Sequence, residues 1–179
     1  MNKSMKRIAA LVLAGVMTIS TAMAVFAVGS PVSGNIGNNT SVKGTTTSKD
    51  GVEVHEVQST TTKATVSSTV KLNGKTYNVD VIGTNTITQK KLKKVTFSVS
   101  GKTTFKKKVV KVKSAKKLKT VVITSSKGKL KAKNFDKAAF KGYKGKIVVK
   151  KKAMTKKEFN KLKKRLKKGG FKGKISYKK

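Results

Sequence analysis

The sequence predicts a mainly β protein with a C-terminal helix, in which short repeats stack into a solenoid behind a β-hairpin region. The lysine-rich phrase of residues 90–97 recurs at 116–123, which places Leu92 and Leu118 at an offset of 118 − 92 = 26 residues. A weaker third copy ends at residues 147–149. An offset of roughly 20–29 residues is typical of units that contain one strand and one return segment. Because one such unit cannot bury its own apolar face, we expect the units to stack on one another.

Each repeat predicts a strand with one buried face. In residues 95–97 and again in 121–123, the first and third side chains point the same way, because strand side chains alternate with a period of two. The two clear repeats are therefore expected to share one core. This core comprises Leu92, Val95, Leu118, Val121 and Ile123.

Residues 51–83 predict a β-strand and hairpin region. Strand-forming residues fill the segments 52–57 and 64–70. Asn73-Gly74 then separates two alternating segments. An Asn-Gly pair readily adopts the positive φ angles that a type I′ hairpin turn needs, so we expect a tight hairpin here.

Residues 154–179 predict a capping helix and a terminal strand. Thr155 and Glu158 have the spacing of a capping box, in which each side chain accepts a hydrogen bond from the backbone N–H of the other residue. Apolar residues then recur at helical spacing until two glycines at 169–170 end the helix. Residues 173–177 alternate as a last strand.

The hairpin and the first repeat resemble a known family. Residues 72–79, followed by 82–83 and 91–95, look like the opening of the bacterial surface leucine-rich repeats often called BspA-like. Residues 139–142, Ala-Phe-Lys-Gly, match the Ala-Phe part of that family's unit. The resemblance implies a short leucine-rich-repeat-like solenoid over residues 84–153, closed by the C-terminal helix. It also implies non-enzymatic adhesion, or interaction with a protein or glycan, at the cell surface.

The N-terminus predicts export. Residues 1–27 combine three basic residues among the first seven with an apolar run over 8–24 and a small-residue cleavage site at 22–24 or 25–27, as in a signal peptide. The alternative is a membrane anchor, since the run approaches the ~20 residues that span a bilayer. Hydroxyl residues interrupt the run and no basic stop-transfer cluster follows, which favours a secreted or surface-associated protein with no membrane span after signal removal.

Residues 28–50 predict a disordered polar linker. They are mostly Gly, Ser, Thr and Asn, with few apolar residues. Such a segment buries too little apolar surface to offset the entropy of ordering.

The charge is extreme and comes from lysine. The chain has 44 basic and 6 acidic residues, a formal net charge of +38 and no cysteine. Only Arg7 and Arg165 are arginine. Arginine is the usual side chain for bidentate recognition of bases and phosphates, so we expect no specific nucleic-acid recognition. The absence of cysteine excludes disulfides and thiolate zinc sites.

Seven lysines near the repeat strands are candidate polyanion-binding residues. They are Lys106, Lys107, Lys108, Lys111, Lys113, Lys146 and Lys150. One hypothesis is a solvated surface that maintains solubility and prevents edge-to-edge strand pairing. A second is attraction to teichoic acid, acidic polysaccharide, mucin or extracellular DNA. A third is direct action on membranes by the basic helix of residues 156–168.

The sequence gives little support for catalysis. His55 is the only histidine, and six carboxylates scattered along the chain form no acid, base and nucleophile constellation. We expect His55 to be a solvent-facing strand residue. No enzyme activity, cofactor or metal site is predicted, because oxygen ligands for calcium or magnesium are scarce as well.

Overall fold

The computed structural model describes residues 27–36 and 39–179, which form two β-sheets and one α-helix. The first sheet contains β1 (Pro31–Ile36), β2 (Thr40–Ser48), β3 (Gly51–Ser59), β5 (Thr69–Leu72), β6 (Lys75–Ile82) and β8 (Thr104–Phe105). The second contains β4 (Lys63–Ser67), β7 (Lys94–Ser100), β9 (Thr120–Lys127), β10 (Lys146–Lys150) and β11 (Lys174–Lys178). A short 3₁₀ helix spans Ala132–Asn134, and α1 spans Lys156–Lys168.

The first sheet is barrel-like and nearly closed. Its strand order is β1-β2-β3-β6-β5, with β8 paired to β6. The ends of this order approach each other at Gly34 of β1, where a Cβ atom would lie 2.9 Å from the Lys71 carbonyl oxygen of β5. Glycine at this position therefore allows the two edge strands to come close.

The hairpin prediction at Asn73-Gly74 is confirmed. β5 and β6 pair antiparallel, with Leu72 opposite Lys75. Asn73 has φ 49° and Gly74 has φ 80°, the two positive angles of a type I′ turn.

The second sheet is wholly parallel, in the order β11-β10-β9-β7-β4. Val95 pairs in register with Val121, and Val121 pairs with Ile147. The strands of the three sequence repeats thus lie side by side, with equivalent residues aligned. All five residues predicted to share a core are buried.

The core lies between the two sheets and under α1. Phe105 of β8 stacks on Phe135 with ring centroids 4.4 Å apart, and it meets Phe97 of β7 edge-on at 5.5 Å. Because Phe97 and Phe105 belong to different sheets, these contacts join them into one apolar cluster.

The predicted solenoid is wrong. The protein is mostly β, with 47% strand and 11% helix, but its strands form a nearly closed barrel-like sheet and a separate parallel sheet. Only β7, β9 and β10 derive from the repeated phrase, and strands outside the repeats flank them on both sides. A repeat offset constrains only the segments that repeat. It gave no information on the strands before residue 84, which, apart from β4, form the barrel-like sheet.

Residues 28–50, predicted to be a disordered linker, contain β1 and the whole of β2. In β2, Thr40, Val42, Gly44 and Thr46 are buried in alternation. Threonine counts as polar in composition, yet its β-branched side chain fits a pleated, half-buried strand. The amino-acid composition of this segment therefore did not reveal that its buried residues alternate with more exposed ones, as in a strand.

The predicted signal peptide lies outside the described residues, apart from Ala27. Within residues 27–36 and 39–179, no helix has both the length and the apolar character needed to cross a membrane.

The C-terminal helix forms as predicted, but only half of its capping box does. The Thr155 hydroxyl oxygen accepts from the Glu158 N–H at 3.3 Å. The Glu158 carboxylate instead accepts from the Ala132 N–H at 2.7 Å and from Lys161 Nζ at 3.0 Å. Glu158 thus joins α1 to the 3₁₀ helix. The Ala132 N–H, followed by the Lys161 ammonium, lowers the pKa of Glu158 below its ordinary value.

Candidate anion-binding surfaces

The structure divides the seven candidate lysines between two places. Lys146 and Lys150 occupy the two ends of β10. The other five lie in residues 106–113, within the connection from β8 to β9. The seven residues therefore do not form a single predicted site.

The lysines of residues 106–113 lie on turns that are fixed through the backbone. The N–H of Lys108 donates to the Ala138 carbonyl at 3.0 Å, and the N–H of Lys111 donates to the Ile87 carbonyl at 3.0 Å. Lys106 Nζ is paired with Glu53 Oε2 at 2.7 Å, so its charge is already partly compensated. The other four lysines of this segment are exposed.

Parallel pairing creates a lysine arrangement that the sequence alone did not indicate. Five residues at the starts of the strands are in register across the second sheet. In spatial order they are Lys63, Lys94, Thr120, Lys146 and Lys174. We call the four lysines the lysine row. Neighbouring strands lie about 4.8 Å apart, so the row extends about 19 Å across the sheet.

The sequence signal for this row is simple. In each strand, the residue of the row immediately precedes the first buried residue, such as Val95 after Lys94 and Ile147 after Lys146. Because side chains alternate along a strand, the lysine points to the face opposite the core. Aligning the repeats at Val95, Val121 and Ile147 and moving one residue back would have identified half of the row.

The face that carries the lysine row is called here the outer face. Two residues further along each strand it presents a second, neutral line of side chains. These are Thr65, Thr96, Val122, Val148 and Ser176. Val122 and Val148 of this line are buried. Thr124 Oγ1 and Ser176 Oγ are buried too, and they have no hydrogen-bond partner in the described structure.

The outer face contains no acidic residue. All six carboxylates of the chain lie in its described part, and none is on β4, β7, β9, β10 or β11. Four lysines pair with carboxylates in this part of the chain, and none of these pairs involves the row. The partners are Lys43 with Glu56, Lys75 with Asp50, Lys106 with Glu53, and Lys161 with Glu158.

His55 has polar neighbours that its sequence context did not indicate. Its Nε2 lies 2.8 Å from Thr45 Oγ1, and its Nδ1 lies 3.5 Å from Glu53 Oε1. The sequence of contacts Thr45, His55 and Glu53 resembles the nucleophile, base and acid of a catalytic triad. The 3.5 Å distance is longer than a hydrogen bond, however, and Lys106 already occupies the Glu53 carboxylate. The His55 side chain is also 44% exposed, so the contacts are those of a surface polar network.

Residues 27–36 and 39–179 bring together no group of three His, Asp or Glu side chains suited to holding a metal ion. The surfaces with distinctive chemistry in this part of the chain are therefore the basic ones.

Comparison of the chain with protein-family models, with curated proteins and with solved structures gives no significant match. The resemblance to BspA-like repeats accordingly stays a prediction.

Proposed function

We propose that this chain is a non-enzymatic, exported protein that binds anionic polymers at or outside the bacterial surface. The observation that carries the proposal is the acid-free outer face with its row of lysines that have no carboxylate partner among the described residues. The predicted signal peptide supports its placement outside the cell.

The electrostatics of the row favour an anionic ligand over a purely structural role. Two lysine ammonium groups about 4.8 Å apart repel by about 1 kcal/mol in a high-dielectric environment, before screening by salt. A bound polyanion replaces that repulsion with attraction and releases condensed counterions from the polymer. Aligned lysines therefore oppose folding slightly and favour binding.

The side chains available favour a polymer other than nucleic acid. Single-stranded nucleic acid binds through aromatic side chains on which bases stack. All phenylalanines among the described residues are buried, and Arg165, the described arginine, donates to the Phe135 carbonyl at 2.7 Å. The lysine ammonium is a compact point charge. It pairs with an anionic group of any shape and does not need the planar, bidentate geometry that arginine recognises.

Binding across a salt series tests the proposal. The full-length chain would be titrated with polygalacturonate, with neutral dextran of similar length as the control. We expect binding to polygalacturonate alone, with the logarithm of the association constant falling linearly with the logarithm of salt between about 50 and 200 mM. Absence of binding at the lowest salt would refute the proposal and leave solubility as the role of the lysines.

Adhesion to a protein partner, which the family resemblance implies, is a second candidate. The uncharged hydroxyl residues Thr65, Thr96 and Ser98 favour it, because they are exposed or half-buried on the outer face. A partner recognised by such a surface should be retained at moderate salt, whereas a charge-bound polymer should be released. Retention of a protein partner above physiological salt would favour adhesion.

A further inference from the structure

A cleft lies between β6 of the first sheet and the turns that follow β7 and β9 of the second. Its volume is about 600 Å³, within the range of roughly 300–1,000 Å³ that is typical of small-ligand sites. β6 contributes Asn78 and Asp80 to the lining, and the two turns contribute Lys102, Lys127 and Lys129. None of these three lysines belongs to the lysine row or to the seven candidates that the sequence predicted.

Asp80 has no lysine partner, although lysines line the same cleft. Four of the six carboxylates of the chain form ion pairs with lysines among the described residues, and Asp80 is not one of them. Thr47 Oγ1 donates to Asp80 Oδ2 at 3.2 Å. In the part of the chain that the structure describes, no donor lies at hydrogen-bond distance from Asp80 Oδ1. This half-buried carboxylate therefore keeps one oxygen available to a ligand.

Glycines fix the backbone on both sides of the cleft. A Cβ atom at Gly51 would collide with Asp80 Oδ2, so glycine at this position makes room for the carboxylate. The Gly101 N–H donates to the Lys127 carbonyl at 2.7 Å. A Cβ atom at Gly101 would lie only 2.8 Å from the Lys129 nitrogen. The turns after β7 and β9 are thus in direct backbone contact, which fixes the positions from which their lysines extend.

The cleft and the lysine row lie at opposite ends of the second sheet. The row is at the starts of the strands, as at Lys94 of β7, whereas the cleft begins at Ser100, where β7 ends. Six residues of strand correspond to about 20 Å. On the basis of the proposed function, we propose that the cleft binds one acidic sugar residue of the anionic polymer, separately from the row. The carboxylate of the sugar contacts the lysines, and its hydroxyl groups contact Asp80 and Asn78.

The chemistry of the lining side chains selects this class of ligand. The three lysines attract an anionic group. The Asp80 carboxylate only accepts hydrogen bonds, whereas the Asn78 amide both donates and accepts them. A ligand that uses the whole cleft therefore needs an acidic group together with hydrogen-bond donors, and a uronic acid has both.

Hydroxyl groups suit Asp80 better than an ammonium group does. The three lysines and Asp80 give the cleft a net charge of 3 − 1 = +2. A cationic donor would be attracted by Asp80 but repelled by the lysines, whereas a neutral hydroxyl donates to the carboxylate without that repulsion. The ligand therefore has its acidic group on the lysine side and neutral donors on the side of β6.

Small ligands distinguish this recognition from attraction by charge. Trigalacturonate and tricarballylate have the same number of carboxylates, but only trigalacturonate has hydroxyl groups. Charge alone favours tricarballylate, because its carboxylates are closer together. In calorimetry at low salt, we expect trigalacturonate to bind the full-length chain at least about tenfold more tightly, as for one hydrogen bond to a charged group. Equal binding, or tighter binding of tricarballylate, would overturn the site.

Backbone amide resonances locate the bound sugar. Gly101 and Gly128 lie in the cleft lining, whereas Val95 and Ile147 each follow a lysine of the row. We expect trigalacturonate to shift the two glycine resonances in an NMR titration and to leave the other two unchanged. Shifts confined to Val95 and Ile147 would place the sugar at the row and overturn the assignment.

Asp80→Asn reverses the sign of the expected effect. It removes a negative charge at nearly constant shape, so attraction by charge alone predicts tighter binding of trigalacturonate. Loss of the carboxylate that accepts the sugar hydroxyls predicts binding about tenfold weaker, which we expect. Asp136→Asn is the matched control, because this exposed carboxylate lies outside the cleft lining and accepts from the Ala138 N–H. It should bind no more weakly than the unmodified chain. Tighter binding by Asp80→Asn would contradict a role in recognition.

Two triple variants of equal net charge test the lysines. The cleft variant replaces Lys102, Lys127 and Lys129 with glutamine. The control variant makes the same change at three exposed lysines outside the cleft, the row and the predicted candidates. These are Lys90, Lys117 and Lys152. We expect the cleft variant to bind trigalacturonate at least about tenfold more weakly and the control to change little. Equal weakening would show that net charge alone holds the ligand.

Polygalacturonate separates failure of this site from failure of the proposed function. If the unmodified chain does not bind polygalacturonate at the lowest salt, the proposed function fails and the cleft assignment fails with it. If the chain binds polygalacturonate but does not prefer trigalacturonate to tricarballylate, the cleft site is overturned while the proposed function stands. That comparison needs no variant, so it remains decisive even if a substitution disturbs folding.

Discussion

The hydroxyl of Tyr143 is buried and has no hydrogen-bond partner in the described structure. Tyr177 offers a contrast, since its hydroxyl donates to the Met154 carbonyl at 2.9 Å. An unsatisfied buried polar group costs about 1–3 kcal/mol. These two tyrosines therefore predict opposite effects for the same chemical change.

Tyr143→Phe should raise the free energy of unfolding by about 1 kcal/mol, because it removes an unsatisfied hydroxyl without leaving a partner unpaired. Tyr177→Phe should lower it by about 1 kcal/mol, because the Met154 carbonyl loses its donor. Denaturant unfolding of both variants measures the effects. A loss of stability in Tyr143→Phe would show that its hydroxyl does have a partner.

The Tyr143 change also has a pH signature. Burial raises the pKa of Tyr143 above its ordinary value, so the neutral phenol favours folding and this contribution is lost as pH rises above about 10. The advantage of Tyr143→Phe over the unmodified protein should therefore increase above about pH 10. A constant difference at high pH would contradict the raised pKa.

The capping box predicted that the Glu158 carboxylate accepts from the Thr155 N–H, but it accepts from the Ala132 N–H instead. Its pKa is lowered by the Ala132 N–H and then by Lys161. A lowered folded pKa stabilises the protein above the unfolded value of about 4.3 and loses that effect as pH falls through the folded value. Glu158→Gln should be less stable than the unmodified protein near pH 7, and the difference should diminish below about pH 4.

Thermal unfolding across this pH range tests the assignment. Glu56→Gln is the control, because it removes a more exposed pair to Lys43 at 3.4 Å that links two strands of one sheet. Exposed pairs of this kind contribute little. An effect of Glu158→Gln that persists unchanged in acid would indicate disturbed packing instead of a missing carboxylate charge.

The parallel sheet arranges its lysines by register. Sequence repeats indicated which residues of β7, β9 and β10 are equivalent, and the structure pairs those residues directly. They did not indicate that β4 and β11 extend the same alignment, because Lys63-Ala64 and Lys174-Ile175 match too little of the repeated phrase. Half of the lysine row depends on this non-local pairing, which the local sequence does not encode.

Thr120→Lys tests the cost of completing this alignment. The new ammonium would have Lys94 and Lys146 as neighbours, at about 1 kcal/mol of repulsion each. We expect a loss of about 1–2 kcal/mol of unfolding free energy at low salt, diminishing as salt screens the pairs. Thr120→Val is the control, because it keeps the branched shape without the charge. Equal effects of the two substitutions at all salt concentrations would exclude repulsion within the row.

At the scale of the whole molecule, local patterns predicted the elements better than their assembly. The Asn73-Gly74 turn and the helix that begins after Thr155 depend on adjacent residues, and both are present. The nearly closed sheet depends on contacts between β1 and β5, which are far apart in the chain. Long-range pairing of this kind has no local signature.

The net charge of +38 makes the stability of the entire fold depend on salt. Self-repulsion opposes the compact state, and the Debye length falls from about 30 Å at 0.01 M salt to about 8 Å at 0.15 M. The thermal midpoint should therefore rise over this range, whereas polyanion binding should weaken. A midpoint insensitive to salt would show that the lysines repel too weakly to matter.

A polyanion should replace salt as the stabilising counter-charge. At the lowest salt, polygalacturonate should raise the thermal midpoint, since a ligand that prefers the folded state stabilises it. Neutral dextran should have no such effect. If polygalacturonate bound and left the midpoint unchanged, the polymer would bind the unfolded chain equally well. That result would separate charge attraction from recognition by the folded outer face.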